Sequence, residues 1–124
     1  MLNEKLIEVL TSPPDGALTI VTEGPDGPHL ANSWNSYVTV IDNRLIMPAG
    51  GFQKTGENLR LNPKVRLSVA NREVQGLSYK GTGFIVEGTG AFLTEGPDFE
   101  AVKARFPWAR AAFAVTVLAA EQKL

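Results

Sequence analysis

The chain has 124 residues, 44% hydrophobic and 20% charged, and a domain of this size hides about two-thirds of its unfolded surface around one core. Twelve Lys and Arg against thirteen Asp and Glu leave a formal net charge of -1, without the basic excess that grips a phosphate backbone, so no nucleic-acid partner is expected. The absence of cysteine and the presence of a single histidine, His29, exclude disulfides, thiolate metal sites, a cysteine nucleophile and any scheme needing two imidazoles from one chain; redox or group-transfer chemistry has to come from a borrowed group.

Residues 1–10 carry Glu4, Lys5 and Glu8 among their apolar side chains and so lack the unbroken apolar core of a secretory signal. The longest apolar stretch, residues 111–120, is too short to span a bilayer. A cytoplasmic protein with no membrane partner is expected. Leu2, Leu6, Val9 and Leu10 fall at near-helical spacing behind Asn3, a plausible N-cap, and Ser12-Pro13-Pro14 stops the pattern. Residues 16–22 (GALTIVT) then read as a strand. The turn Gly24-Pro25-Asp26-Gly27-Pro28 returns the chain into one long strand over residues 29–41. Asp42-Asn43 separates this run from Arg44-Leu45-Ile46-Met47, a two-residue spacing that suits a tight type I′ turn.

Pro48-Ala49-Gly50-Gly51 breaks the pattern and leads into a short helix over residues 54–61, which Asn62-Pro63 stops. Val65, Leu67 and Val69 alternate with Lys64, Arg66 and Ser68 as in a half-buried strand. Another strand covers residues 82–93, with Gly83, Gly88 and Gly90 marking bulges or tight corners. A third helix, with Phe99, Val102 and Phe106 on one face, ends at Pro107; residues 109–120 form a nearly all-apolar last strand with residues 121–124 left as a short arm. The order is helix, three strands, helix, two strands, helix, strand. Short connections between curved strands favour a closed or split antiparallel barrel over a doubly wound sheet. Because the last strand is apolar on both faces, one face is available to a second copy of the chain.

Three places have the composition of a site. Gly50-Gly51-Phe52-Gln53-Lys54-Thr55 joins a strand end and permissive glycines to Lys-Thr at a helix N-terminus, where free N–H groups, the helix dipole, an ammonium and a hydroxyl suit a phosphate. Gln53 stands where a Walker A loop needs glycine before the lysine, which disfavours a nucleoside triphosphatase; an ordinary loop with a solvated lysine and a Thr cap fits the same residues. In Ala31-Asn32-Ser33-Trp34-Asn35-Ser36-Tyr37, small polar residues around a tryptophan suit a polar, planar ligand, or an edge strand facing solvent. Trp108, entering the last strand from Phe106-Pro107, reads as a core anchor or a second ring near the ligand. His29 has no local carboxylate partner, and no serine has the glycine-flanked setting of a hydrolase nucleophile.

Taken together and in order, Gly24 to Leu30, Asn32-Ser33-Trp34-Asn35-Ser36-Tyr37, Pro48-Ala49-Gly50-Gly51, Lys54-Thr55, Gly81-Thr82-Gly83-Phe84, Trp108-Ala109-Arg110-Ala111 and the terminal Ala120-Glu121-Gln122-Lys123-Leu124 resemble the small bacterial FMN-binding proteins of the pyridoxamine-phosphate-oxidase-like split-barrel superfamily. The resemblance covers nearly the whole chain. It implies a mainly β protein with short helices: one FMN-binding domain over residues 1–124, built as a six-stranded antiparallel split barrel of Greek-key type and working as a homodimer with one non-covalent FMN per subunit. It implies a phosphate by Gln53, Lys54 and Thr55, with Asn32 and Ser33 in the cofactor-binding strand. The ring falls by Trp34, Asn35, Pro48, Ala49, Gly50 and Gly51, with Trp108 nearby and Leu124 reaching the flavin of the partner subunit. Relatives carry Met-His where this chain has Phe52-Gln53, and glutamate where it has Asp15. The function so implied is electron transfer between donor and acceptor proteins, with no catalytic side chain and no metal. An FMN-dependent reductase or oxidase of a small molecule is the alternative.

Overall fold

The computed structural model describes residues 2–124. Asn3 caps α1 (Glu4–Thr11) as its sequence position predicts, its side-chain oxygen accepting from the N–H groups of Lys5 and Leu6. Seven strands follow: β1 (Ala17–Gly24), β2 (Gly27–Trp34), β3 (Thr39–Ile41), β4 (Arg44–Ala49), β5 (Lys64–Gln75), β6 (Lys80–Leu93) and β7 (Ala111–Lys123), with α2 (Gln53–Leu61) between β4 and β5 and α3 (Pro97–Arg105) between β6 and β7. They form one antiparallel sheet in the order β2-β1-β5-β6-β7-β4-β3.

The first and last strands of that order are neighbours in sequence. A flat sheet of seven strands places its edges about 29 Å apart, whereas the five steps from Trp34 to Thr39 span at most about 18 Å. The sheet therefore curls until β2 and β3 approach, but no ladder joins them, and the seam stays open. This corrects the expected count of six strands. The run 29–41 is not one strand, because a 3-10 turn at Asn35–Tyr37 carries the chain from one edge of the sheet to the other. The Asp42-Asn43 turn joins Ile41 to Arg44 as expected, but only Asp42 has a positive φ, at 56°, which is the φ pattern of a II′ turn rather than I′.

Inside the curl, Leu6, Val9 and Leu10 of α1 meet Leu18 and Ile20 of β1, Val65, Leu67 and Val69 of β5, Phe84 and Val86 of β6, and Phe113 and Val115 of β7, all buried. The other face of β7 supplies Ala112 and Ala114 to a second cluster, which Ile46, Val102 and Ala109 complete. Helix α3 thus covers the first half of that face of β7, while Leu118 further along the strand is exposed. Nor does the chain end in a free arm: Glu121, Gln122 and Lys123 pair with Ile85, Phe84 and Gly83, and the Leu124 carbonyl accepts from the Leu77 N–H at 2.8 Å.

Between Glu87↔Ala119 and Gly88↔Val117 the register slips, leaving Leu118 as the extra residue of a bulge. A Cβ on Gly88 would stand 2.1 Å from the Thr116 carbonyl oxygen, a backbone atom that cannot step aside. Gly88→Ala should therefore cost about 2–3 kcal/mol, the scale of an overpacked interior, read as a lower urea midpoint at unchanged slope.

Candidate functional site

Strand β4 ends at Ala49, and Gly50-Gly51 lead to Phe52, which holds a left-handed conformation (φ 59°, ψ 36°) immediately before α2. That conformation costs a non-glycine residue on the order of 1 kcal/mol. No side chain caps the helix. Its first intrahelical bond runs from the Gly56 N–H to the Phe52 carbonyl at 2.9 Å, so the N–H groups of Gln53, Lys54 and Thr55 are free by construction. The Lys54 ammonium lies 3.8 Å from the carboxylate of Asp26 in the β1–β2 turn, a side chain 89% exposed, and a contact of this kind in water is weak. Thr55 is buried and its Oγ1 has no partner. Asn58 donates to the Thr22 hydroxyl at 3.1 Å, while its own carbonyl oxygen is unpaired. Gly24 admits this approach of helix to turn, since a Cβ there would fall 2.4 Å from Asn58 Oδ1.

Beyond the glycines stands a ring cluster. A Cβ on Gly50 would lie 3.0 Å from the Trp108 indole. Trp108 is 5.7 Å from Phe106 and 6.0 Å from Tyr37 between centroids, and Tyr37 is 4.8 Å from Phe106. Trp108 is 55% exposed, so it flanks a surface and is no core anchor. Pro48 and Ala49 are held in the ladder opposite Ala112 and Ala111. Arg110 grips the loop: its backbone N–H donates to the Ala49 carbonyl at 2.9 Å, Nε to the Gly50 carbonyl at 2.7 Å, and Nη2 to the Gly51 carbonyl.

Burial alternates along the end of β2 and into the turn that follows it. The strand is an edge strand with Asn32 and Trp34 outward, yet Ser33 and Asn35 are buried. Asn32 donates to the Leu18 carbonyl at 3.1 Å. Asn35 donates from its side chain to the Ala70 carbonyl at 3.0 Å and from its backbone to the Gly16 carbonyl at 2.8 Å, leaving its Oδ1 without a partner. Leu124 stands apart. Val65 pairs with Thr22, one end of β5, whereas Gln75 lies at the other end beside the hairpin tip that holds Leu124, and ten strand residues span roughly 30 Å. There Leu124 lines a groove of about 660 Å³ with Leu77 and Tyr79. One chain therefore assembles the α2 end, the glycine loop and Trp108, but not Leu124. Among the described residues no group of His, Asp or Glu is placed to hold a metal ion, and no helix is long and apolar enough to cross a membrane.

Sequence reasoning gave no role to Arg110 or Asp15. The signal for Arg110 was an arginine at the mouth of an otherwise apolar strand. Asp15 accepts from the Ser36 hydroxyl at 2.7 Å and from the N–H groups of Ser36 and Gly16, each at 2.9 Å. The Ser36 hydroxyl above all holds its carboxyl below the usual value; burial opposes this, and the N–H groups of Ser36 and Gly16 add to it.

A family model described as pyridoxamine 5′-phosphate oxidase matches residues 2–123, and the chain belongs to that family. It is 48% identical over 125 residues to a curated protein named FMN-binding protein from Nitratidesulfovibrio vulgaris (strain DSM 19637 / Miyazaki F), each covered completely. Among solved structures, HupZ of Group A Streptococcus superposes with a TM-score of 0.79 at 18% identity, covering 99% of this chain and 100% of that one. An FMN-binding protein from Syntrophomonas wolfei does so with a TM-score of 0.73 at 18% identity, covering 98% and 85%. At such identities the structures establish the shared fold.

The Asp15 contacts bind the turn at Asn35–Tyr37 to the start of β1. Because the folded carboxyl titrates below its unfolded value near 3.9, their stabilisation is full above that value and is lost as pH falls through the lower, folded one. Solvent exposure holds it to about 1 kcal/mol. Asp15→Asn should lose that amount at pH 7 and match the native chain at pH 2 in chemical denaturation; equal stabilities at pH 7 would contradict the assignment.

Proposed function

We propose that the chain is a small electron carrier that holds one FMN per subunit without a covalent bond, as a homodimer in the cytoplasm, and exchanges electrons with donor and acceptor proteins. The observation that carries this reading is the N-terminus of α2. Three free N–H groups, an ammonium held only by an exposed carboxylate, and a buried hydroxyl without a partner are what a phosphate monoester satisfies. The family membership and the 48% identical FMN-binding protein support the same cofactor.

The residues fit the group along their whole line. Gln53, Lys54 and Thr55 would hold the phosphate, and Asn32 and Ser33 of β2 would make further contacts to the cofactor. Trp34, Asn35 with its unpaired oxygen, Pro48, Ala49, Gly50 and Gly51 would hold the ring, with Trp108 against it. Bound FMN supplies the redox chemistry. The chain binds and orients it and limits access of water, and no side chain serves as an acid or base. Leu30 and Trp34 on the edge strand β2 and Leu77, Tyr79 and Leu124 about the β5–β6 hairpin tip are exposed apolar residues, an arrangement that a two-fold pair can cover by setting the hairpin tip of one copy on β2 of the other.

A second reading, an FMN-dependent oxidase or reductase of a small anion, has its own support. A cavity of about 340 Å³ is lined by Arg60, Arg110 and Phe92 with no acidic side chain, and the matching family is described by an oxidase. Steady-state turnover with reduced nicotinamide and a panel of organic acceptors separates the two, because a carrier shows no saturable organic substrate.

The purified protein should be yellow, or become so with FMN; a colourless chain that ignores added FMN ends both readings. Lys54→Ala should weaken FMN about tenfold to a hundredfold, the worth of a charge-assisted contact, and leave riboflavin nearly unaffected. Equal losses for the two ligands in a fluorescence titration would remove Lys54 from the phosphate.

If Leu124 shields the partner's flavin, deleting it raises the local dielectric, which favours the more negatively charged reduced form and raises the reduction potential. A spectroelectrochemical titration should show that rise, with the dimer checked by sedimentation. An unaltered potential in an FMN-saturated dimer would refute the shielding.

A further inference from the structure

We propose that Arg110 is a positioning residue for the flavin ring: by holding the Gly50 and Gly51 carbonyls on one side of the loop, it turns the N–H groups of Gly51 and Phe52 to the other, as a donor pair for an electron-rich edge of the ring. The proposal rests on the FMN reading and adds to it a residue and a mechanism. Nε–H and Nη2–H point in parallel from one edge of the planar guanidinium, so the two carbonyls that meet them, at Gly50 and Gly51, stand side by side. In a planar trans peptide the N–H of the next residue points opposite to the carbonyl. The Gly51 and Phe52 N–H groups therefore point together, away from Arg110.

Three further observations agree. Neither N–H has an acceptor among the described residues. A Cβ on Gly51 would meet nothing within 4 Å, so the loop is not packed over at this residue. The left-handed Phe52, followed by helical Gln53, continues the pair into the free N–H groups of Gln53, Lys54 and Thr55, one concave run of donors. The guanidinium itself has no carboxylate partner among the described residues and packs 5.8 Å from the Phe92 ring centroid. Its charge stands uncompensated behind the donor pair. Oriented dipoles and charge act in the same sense, favouring added negative charge on whatever the pair faces.

The test separates the fork from the charge. Arg110→Lys keeps the charge and loses the parallel donors, and it should lower the affinities for FMN and riboflavin by the same factor, about tenfold. Arg110→Gln loses both and should lower the reduction potential below those of the native protein and Arg110→Lys. Native affinities in Arg110→Lys, a loss confined to FMN, or an unmoved potential in Arg110→Gln would each overturn the proposal. A measurement on the native chain guards against variants that fail to fold. On titration with riboflavin, the amide protons of Gly51 and Phe52 should shift downfield and exchange more slowly, while those of Gln53, Lys54 and Thr55 respond mainly to FMN. Riboflavin saturation without change at Gly51 and Phe52 overturns the donor pair alone, whereas a native chain that binds neither flavin removes the FMN reading with it.

Discussion

The reach of one short link governs this molecule. Residues 35–38 join the two edge strands of a seven-stranded sheet, and a link that short forbids the sheet from lying flat. Curling follows, and it gives α1 and the inward faces of β1, β5, β6 and β7 a common interior. The link is itself fastened at several points: Asn35 to Gly16 and Ala70, Ser36 to Asp15, and the Ser36 carbonyl to Arg105 at 2.7 Å. Leaving the seam unpaired permits a planar ligand to reach backbone and side chains from β2, from the end of β4 and from α2 without breaking a ladder.

The candidate site is made largely of main chain. Helix α2 offers N–H groups, the glycine loop offers its peptides, and side chains aim these groups. The donors at the start of α2 belong to the backbone, so they do not depend on the side chains of Phe52 and Gln53. Polar atoms left without partners mark the same ground, since three of the four, on Glu23, Thr55 and Asn58, belong to α2 or to the end of β1 that faces it, and the fourth is on Asn35. Buried polar atoms are ordinarily paired, and of these four only the Thr55 hydroxyl can donate to an anion.

Elements with strong local signals were legible in the sequence. Asn3 and the Pro-Pro pair framed α1, the Gly-rich turn gave the first hairpin, and alternation gave β5, which extends further than its apolar residues alone predict. The break at Asn35–Tyr37 was not, because nothing local distinguishes a long edge strand from two strands on opposite edges; only the sheet order does so. That α3 of the same chain covers Ala112 and Ala114 on the second face of β7 was not legible for a related reason, since only the tertiary fold brings the two together. The helix start after the glycine pair was legible from Gly50-Gly51 and Lys54-Thr55. Arg110 and Asp15 act through backbone atoms far away in sequence, at 60 residues in one case and 21 in the other, and composition carries no trace of such pairings.

Strand β7 holds ten consecutive residues without a charge from Ala111 to Ala120. Segments of this kind, rich in β-forming side chains and free of proline, seed intermolecular stacking when they become accessible. Its two ladders protect the edges, but the face formed by Ala112 and Ala114 depends on α3. Nine residues long, α3 is anchored by Arg44 on Asp98 at 2.6 Å and by Lys103 on the Ala109 carbonyl at 2.7 Å. What keeps this uncharged segment from meeting another copy of itself is thus, on one face, a single short helix and its two anchors.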